Sequence, residues 1–131
     1  MILLLVNIFK EQYNPSPPMK KIEAVIRPEK LSVVRRSLAS AGYPGMMITK
    51  IEGHGLQKGI TQEWKGEEYH IDILPKVKVE IVAGDSEVDN IVESIIEAAY
   101  TGTVGDGKIF VYDIKECIRI RTRERGQLAL T

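Results

Sequence analysis

The chain has 131 residues, 44% of them hydrophobic, and 18 basic and 18 acidic side chains. This length predicts one domain with a single core, and the zero net charge excludes the strong basic field of a general nucleic-acid binder. Cys117 is the single cysteine, which excludes an internal disulfide and is typical of a reducing compartment, so we expect a cytoplasmic protein.

Residues 1–18 are predicted to be an extension outside a domain that spans 19–131. The apolar run 1–9 is far shorter than the roughly 20 residues of a membrane helix, and it lacks the basic start of a signal peptide. The proline-rich stretch 14–18 then interrupts regular structure before a strand pattern begins at Met19. An upstream start codon is an alternative origin for this segment.

Two strand–helix units follow with similar patterns. Segments 21–25 and 78–82 both have the order Lys, aliphatic, Glu, apolar, Val, which alternates as half-buried strands do. A helix is predicted after each strand, over 29–41 and from 86 to near 102. The repeated unit suggests an internal duplication.

The ends of these helices carry recognisable signals. Pro28 suits the first turn of the first helix, and Gly42 suits its end. Ser86 followed by Asp89 predicts an approximate capping box at the start of the second helix. The apolar stripes consist of Leu31, Val34, Leu38 and Ala41 in the first helix, and Val88, Ile91, Val92, Ile95, Ile96 and Ala99 in the second.

Further strands are predicted over 46–55, 70–74, 108–112 and 118–121. The resulting order, β-α-β, a long connection and β-α-β, predicts the ferredoxin-like split βαβ fold of class α+β. In that fold an antiparallel sheet carries both helices on one face. The other face would be bare, and small domains of this kind cover it by forming oligomers.

The long connection 57–69 is polar, contains two glycines, and carries the aromatic residues Trp64 and Tyr69. A loop of this length in a small domain is usually functional or disordered, and an isolated tryptophan is a natural interface anchor. We therefore expect a partner-binding loop. The alternative is that Trp64 folds back onto its own domain.

The segment 101–108, with the sequence Thr-Gly-Thr-Val-Gly-Asp-Gly-Lys, predicts a phosphate-binding loop. Its glycines let successive N–H groups converge on an anion, and Lys108 adds a positive charge. The loop follows a helix, so it is not a Walker A motif, and the glycines alone also suit a helix end and ordinary turns. Arg119 and Arg121 would leave one face of the last predicted strand, and together with the loop they suggest a triphosphate site.

Two other functional classes are open at this point. A nucleotide-binding ferredoxin-like enzyme, a slow ATPase or phosphoryl transferase, needs a base near the phosphates. Asp106 is the only acid in the loop, and we expect it to stabilise the turn instead. An RNA-recognition module shares the layout, but Phe110 and Tyr112 do not make its aromatic signature. We therefore expect neither enzymatic activity nor a nucleic-acid partner.

From 19 to about 129 the chain resembles the PII nitrogen-regulatory family, specifically its GlnK-type members. The matching blocks occur in the right order and spacing, and together they make the resemblance specific. They are Gly-His-Gly-Leu-Gln-Lys-Gly at 53–59, Lys-Gly-Glu-Glu-Tyr at 65–69, Leu-Pro-Lys-Val-Lys-Val-Glu at 74–80, the 101–108 loop running into Ile-Phe-Val, and Ile-Arg-Ile-Arg-Thr at 118–122.

The resemblance implies a homotrimer with nucleotide sites between subunits, where ATP and ADP compete and 2-oxoglutarate binds together with Mg-ATP. The implied nucleotide-binding residues are Gly55, Val82, Thr101, Gly102, Gly105, Asp106, Gly107, Lys108, Arg119 and Arg121. The implied 2-oxoglutarate residues are Gln57, Lys58 and Lys76, and Gln57 would also supply an oxygen to Mg²⁺.

The family resemblance also implies partners, which the 57–69 loop would contact. These are an ammonium transporter, which would recruit the protein reversibly to the membrane, and, as a second candidate, glutamine synthetase. Trp64, Lys65 and Tyr69 would form the contact. Family members commonly have Arg in place of Lys65 and often Tyr in place of Trp64, and because the uridylylation motif is only partly present we predict that Tyr69 is not routinely modified. Residues 122–131 are expected to form a flexible tail.

Overall fold

The computed structural model describes residues 18–64 and 67–131, and it describes side chains outside 53–73. Within these residues two helices and four strands follow one another in the order β-α-β-β-α-β. They are β1 (Met19–Ile26), α1 (Leu31–Ser40), β2 (Met47–Trp64), β3 (Glu67–Gly84), α2 (Val88–Ala99) and β4 (Lys108–Ile114). Short 3-10 turns lead into both helices, and another spans Gly126–Leu130.

The four strands form one antiparallel sheet in the order β2-β3-β1-β4. Strand β1 pairs with β3 from Met19 opposite Gly84 to Ile26 opposite Val77, and with β4 from Met19 opposite Ile114 to Val25 opposite Lys108. Each helix connects two strands that are not neighbours in the sheet, because α1 leads from β1 to β2 and α2 leads from β3 to β4. This topology confirms the predicted ferredoxin-like split βαβ fold.

The core lies between the two helices and one face of the sheet. Alternate residues of β1 and β3 point to this face because side chains alternate with a period of two along a strand. Its buried members are Ile22, Ala24 and Ile26 from β1, Val77, Val79 and Ile81 from β3, Val34 and Leu38 from α1, and Ile91 and Ile95 from α2. Burying each of the larger side chains stabilises the fold by roughly 1.5–3 kcal/mol.

The predicted helix ends are partly confirmed. Pro28 lies in the first turn of the 3-10 segment that leads into α1, and Gly42 has a φ of +96° just past the end of that helix. The capping box at Ser86 and Asp89 is wrong. The chain enters α2 through a 3-10 turn, Glu87 is the N-cap residue, and no side chain caps the helix.

The described residues of the segment 57–69, predicted as a loop, instead belong to paired strands. Strands β2 and β3 continue to Trp64 and Glu67, which pair with each other, with one irregularity in register between Lys58 and Gln62. Because β1 pairs with β3 only as far as Val77, the outer part of this hairpin pairs only with itself. We call 52–64 and 67–75 the ribbon. Pairing satisfies backbone polar groups that an irregular loop would leave to water.

The predicted strand at 118–121 is also wrong. Among the described residues Ile118 makes one isolated bridge, with Arg125, and the chain reverses between them. Local hydrogen bonds from Arg119 N to Glu124 O (2.9 Å) and from Arg123 N to Arg119 O (2.8 Å) satisfy the backbone within this reversal. The consequence is that Arg119 and Arg121 do not stand on one face of a sheet strand.

The sheet face opposite the helices carries charged and aromatic side chains. Lys21 lies 3.3 Å from Glu80, and Lys78 lies 3.5 Å from the same carboxylate. The ammonium of Lys21 also lies 4.7 Å from the centre of the Tyr112 ring. Phe110 and Tyr112 of β4 are exposed on the isolated chain. Of the described elements, the 3-10 turn Gly126–Leu130 covers one end of this face, because a β-carbon on Gly84 would meet the Gln127 side chain, while the part formed by β4 is bare.

Candidate functional site

The 101–108 loop connects α2 to β4 and depends on three glycines with positive φ. Gly102, Gly105 and Gly107 have φ angles of +85°, +105° and +104°, which L-residues rarely adopt. Gly107 has a second constraint, because a β-carbon there would overlap the carbonyl oxygen of Val25. The loop therefore lies directly against the end of β1, and Lys108 begins β4 opposite Val25.

Asp106 organises the loop from within. Its carboxylate accepts hydrogen bonds from the main-chain N–H groups of Thr101 and Gly102, both at 2.9 Å, and from the hydroxyl of Thr101. The hydroxyl and N–H of Thr101 hold the pKa of Asp106 well below its usual range, so the carboxylate is ionised at neutral pH. The first two amides of the loop are thus bound to Asp106.

Arg27, which the sequence analysis did not single out, holds the loop from outside. Its Nε donates to Asp106 at 3.2 Å, and its Nη2 donates to Thr103 Oγ1 at 3.0 Å and to the carbonyl of Val104 at 2.9 Å. The sheet topology explains the position of Arg27 beside the loop. Arg27 directly follows β1, and antiparallel pairing of β1 with β4 brings the end of one strand beside the start of the other.

Lys76 joins the loop to the ribbon. Its Nζ donates to the carbonyl of Gly105 at 2.5 Å. Lys76 pairs with Ile51 and directly precedes Val77, the first residue of β3 that pairs with β1, so it lies at the root of the ribbon. Two sequence-predicted sites, one for nucleotide and one for 2-oxoglutarate, therefore touch at this contact.

Three predicted nucleotide residues lie far from the loop of their own chain. Val82 pairs with Lys21 near the start of β1, and Arg119 and Arg121 follow the end of β4. Because a strand advances about 3.3 Å per residue, the six steps of β4 separate its two ends by roughly 20 Å. The chain thus carries one group of predicted residues at each end of its sheet, and a single copy does not bring the groups together.

The predicted ribbon residues are described by their backbone. Gly55 pairs with Asp72, Gln57 with His70, and Lys58 with Tyr69 on consecutive parts of the ribbon. The side chains of these residues, of Trp64 and of Tyr69, and the whole of Lys65, lie outside the described residues.

Among the side chains that the structure describes, which exclude those of 1–17 and 53–73, no group of three or more His, Cys, Asp or Glu is arranged to hold a metal ion. No described helix has the length and apolar character needed to cross a membrane.

Comparison with known proteins identifies the family. The sequence model of the family described as Nitrogen regulatory protein P-II matches residues 19–124. A Nitrogen regulatory protein P-II from Pasteurella multocida (strain Pm70) is 54% identical over 112 residues, which cover 86% of this chain and all of the relative. The chain belongs to the P-II family. The resemblance predicted from the sequence blocks is therefore confirmed.

Solved P-II structures agree with this assignment. The B. subtilis GlnK–ATP complex is similar with a TM-score of 0.73 and 34% identity, covering 86% of this chain and 98% of that one. Arabidopsis thaliana PII bound to citrate has a TM-score of 0.71 and 34% identity, covering 91% of this chain and 95% of that one. Structures of this family thus include complexes with a nucleotide and with a small carboxylic acid.

Proposed function

We propose that this P-II protein senses ATP, ADP and 2-oxoglutarate and controls an ammonium transporter, glutamine synthetase or both through its ribbon. The observation that carries the proposal is the 101–108 loop, which Arg27 and Asp106 hold in one shape beside Lys108. Glycine-rich backbone with a lysine at its rim suits phosphate oxygens. The similarity to the B. subtilis GlnK–ATP complex supports an adenine nucleotide as the ligand.

In this proposal the phosphates bind the later part of the loop. Asp106 already accepts the N–H groups of Thr101 and Gly102, so the amides nearer Gly105 and Gly107, together with Lys108, would face the anion. Thr101 and Gly102 would line the ribose and base side, with Gly55 approaching from the ribbon. The carboxylate of Asp106 is saturated by hydrogen bonds, which supports binding over hydrolysis because no other acid stands in the loop.

The effector 2-oxoglutarate would act at the root of the ribbon. A carboxylate that pairs with Lys76 competes with the carbonyl of Gly105 for the same ammonium. Lys58 and Gln57 would complete the contact from β2. Binding of the acid would therefore alter both the phosphate loop and the ribbon, which is how one ligand biases a segment between two arrangements.

Magnesium fits this donor set. Mg²⁺ prefers oxygen ligands and commonly binds phosphates with only one or two protein groups, so the side-chain oxygen of Gln57 would suffice as the protein ligand. When bound, the ion would neutralise phosphate charge and link it to the 2-oxo acid.

We further propose that the protein acts as a homotrimer with its nucleotide sites between subunits. The loop lies at one end of the sheet, and Val82, Arg119 and Arg121 lie at the other, so subunits arranged head to tail around an axis would join them. Exposed Phe110 and Tyr112, and an apolar groove of about 430 Å³ between α2 and β4, supply surface for subunit contacts.

Calorimetry tests the sensing step. We expect 2-oxoglutarate to bind the wild-type protein only when Mg-ATP is present, and Gln57→Ala to lose at least tenfold in 2-oxoglutarate affinity because the bridging oxygen is gone. The matched control is Gln62→Ala on the same strand, which should bind 2-oxoglutarate like wild type. Binding of 2-oxoglutarate at equal affinity with and without nucleotide would contradict the proposal.

A further inference from the structure

The C-terminal segment contacts one of the proposed phosphate ligands. Arg119 Nη1 donates to Glu124 Oε1 at 2.5 Å. Arg119 Nη2 donates to the carbonyl of Leu128 at 2.8 Å and to the main-chain oxygen of Thr131. A guanidinium presents its donors in a planar fork that suits a carboxylate or a phosphate, and here both arms of the fork are occupied.

The chain reversal that makes these contacts is specified locally. Arg119 N donates to Glu124 O, and Gly126 N donates to Cys117 O at 2.9 Å. Gly126 is buried and has a φ of +73°, a conformation that strains residues with a β-carbon. The contacts of Arg119 therefore result from a defined fold of residues 124–131, which we call the C-terminal clasp.

The clasp is held by polar contacts and by moderate packing. Leu128 is 68% exposed, whereas Ala129 and Leu130 are half-buried and the Gln127 side chain lies against Gly84 at the end of β3. Moving this turn away would expose two half-buried apolar residues and break the hydrogen bonds to Arg119, so a competing anion has to replace a modest set of contacts. Partly exposed bonds of this kind contribute modestly and can be exchanged for a competing anion.

We propose that the C-terminal clasp is an intramolecular competitor that occupies the Arg119 half of the nucleotide site and that nucleotide phosphates displace. This inference rests on the proposed nucleotide site. A phosphate offers the same acceptor geometry as the Glu124 carboxylate with more charge, so it replaces the clasp without leaving the guanidinium unpaired. The measured affinity for nucleotide then equals the affinity of the open form multiplied by the fraction of molecules in which the clasp is open.

Two variants loosen the clasp by different means. Glu124→Gln removes the charge of the side-chain partner, and Gly126→Val strains the turn without any change in charge. We expect each variant to bind Mg-ATP roughly three- to tenfold more tightly than wild type in calorimetric titrations. The matched controls are Glu93→Gln, an exposed residue of α2, and Gly45→Val, where an added β-carbon meets no atom within 4 Å.

The outcomes separate the clasp from the nucleotide site. If both variants bind Mg-ATP with wild-type or weaker affinity, the clasp proposal is wrong, and the proposed nucleotide site is unaffected. Absence of saturable binding in the wild type, the variants and the controls would overturn the nucleotide site itself. A gain in Glu93→Gln equal to that in Glu124→Gln would show that net charge, and not the clasp, sets the affinity, and would overturn the clasp.

Hydrogen exchange supplies a readout independent of affinity. If nucleotide displaces the clasp, adding Mg-ATP should speed exchange of the Gly126 N–H, because its bond to Cys117 O opens. The amides of the 101–108 loop should be protected in the same sample. Unchanged or slower exchange at Gly126 while the loop becomes protected would contradict displacement.

Discussion

Gly107 decides whether the 101–108 loop can lie against β1. Its φ is +104°, and a β-carbon would overlap Val25 O and come within 2.8 Å of Val25 C. Those atoms are backbone, and Val25 is paired with Lys108, so neither side can move without disturbing the β1–β4 ladder. The glycine is required both by its conformation and by the space available.

We therefore expect Gly107→Ala to lower the free energy of unfolding by roughly 2 kcal/mol or more, measured by urea denaturation. Nucleotide binding should fall with it, since the loop would have to shift away from β1. Gly45→Ala is the matched control, because its φ is not in the left-handed region and its β-carbon would meet nothing within 4 Å. Equal stabilities of the two variants would refute the steric argument.

The residues of the loop differ in how far the sequence could predict them. The glycines, Asp106 and Lys108 all lie within the segment 101–108, so their types and order alone predicted a phosphate loop. Arg27 is 79 residues from Asp106, and its role depends on which strand pairs with β4, which no local pattern contains. The contacts of Arg119 arise from a chain reversal that the strand-like pattern Ile-Arg-Ile-Arg concealed, and its predicted role at the nucleotide stays a prediction.

At the scale of elements, β1, β3 and the two helices were predictable because hydrophobic periodicity and burial agree in them. The ribbon was predicted only in part: its ends fall in the strands predicted over 46–55 and 70–74, whereas most residues of 57–64 are polar or glycine and carry no alternating apolar face. Its order as paired strands comes from backbone hydrogen bonding, which is independent of side-chain pattern. The side-chain pattern of this segment therefore did not indicate its paired strands, and its partner-binding role stays a prediction.

We expect the ribbon to contact the partner protein. It pairs only with itself beyond the sheet, so its outer residues extend away from the core. Immobilised wild-type protein should retain an ammonium transporter from native membranes, and adding Mg-ATP with 2-oxoglutarate should release it. Trp64→Ala should lower retention at least fivefold, because a single aromatic anchor commonly dominates such contacts, while Gln62→Ala should retain the transporter normally. Retention by Trp64→Ala equal to wild type would remove Trp64 from the interface.

At the scale of the whole molecule, the fold separates the two groups of residues proposed to bind nucleotide. Strand β4 begins at the 101–108 loop and ends near the reversal that carries Arg119 and Arg121. The strand places roughly 20 Å between these two groups. In the proposed trimer, a second copy rotated about a common axis would supply the group that one copy holds too far away.

A mixing experiment tests whether Lys108 and Arg121 of one site belong to different chains. Lys108→Ala damages the loop half of each site and Arg121→Ala the other half, so each variant alone should bind Mg-ATP at least tenfold more weakly than wild type. Subunits of the two variants refolded together should form mixed trimers of about three times 14.7 kDa. If sites lie between subunits, about a quarter of them combine an intact loop with an intact Arg121 and recover wild-type affinity.

Calorimetry measures the number of high-affinity Mg-ATP sites per subunit in the mixture and in each variant refolded alone. This number shows whether a site contains residues of two chains. Recovery near one site in four requires that Lys108 and Arg121 of one site come from different chains. If both residues of a site belonged to one chain, every chain in the mixture would carry one defect, and no wild-type sites would appear. That result, obtained with confirmed mixed trimers, would place the site within a single subunit and would require β4 and the C-terminal segment to rearrange when nucleotide binds.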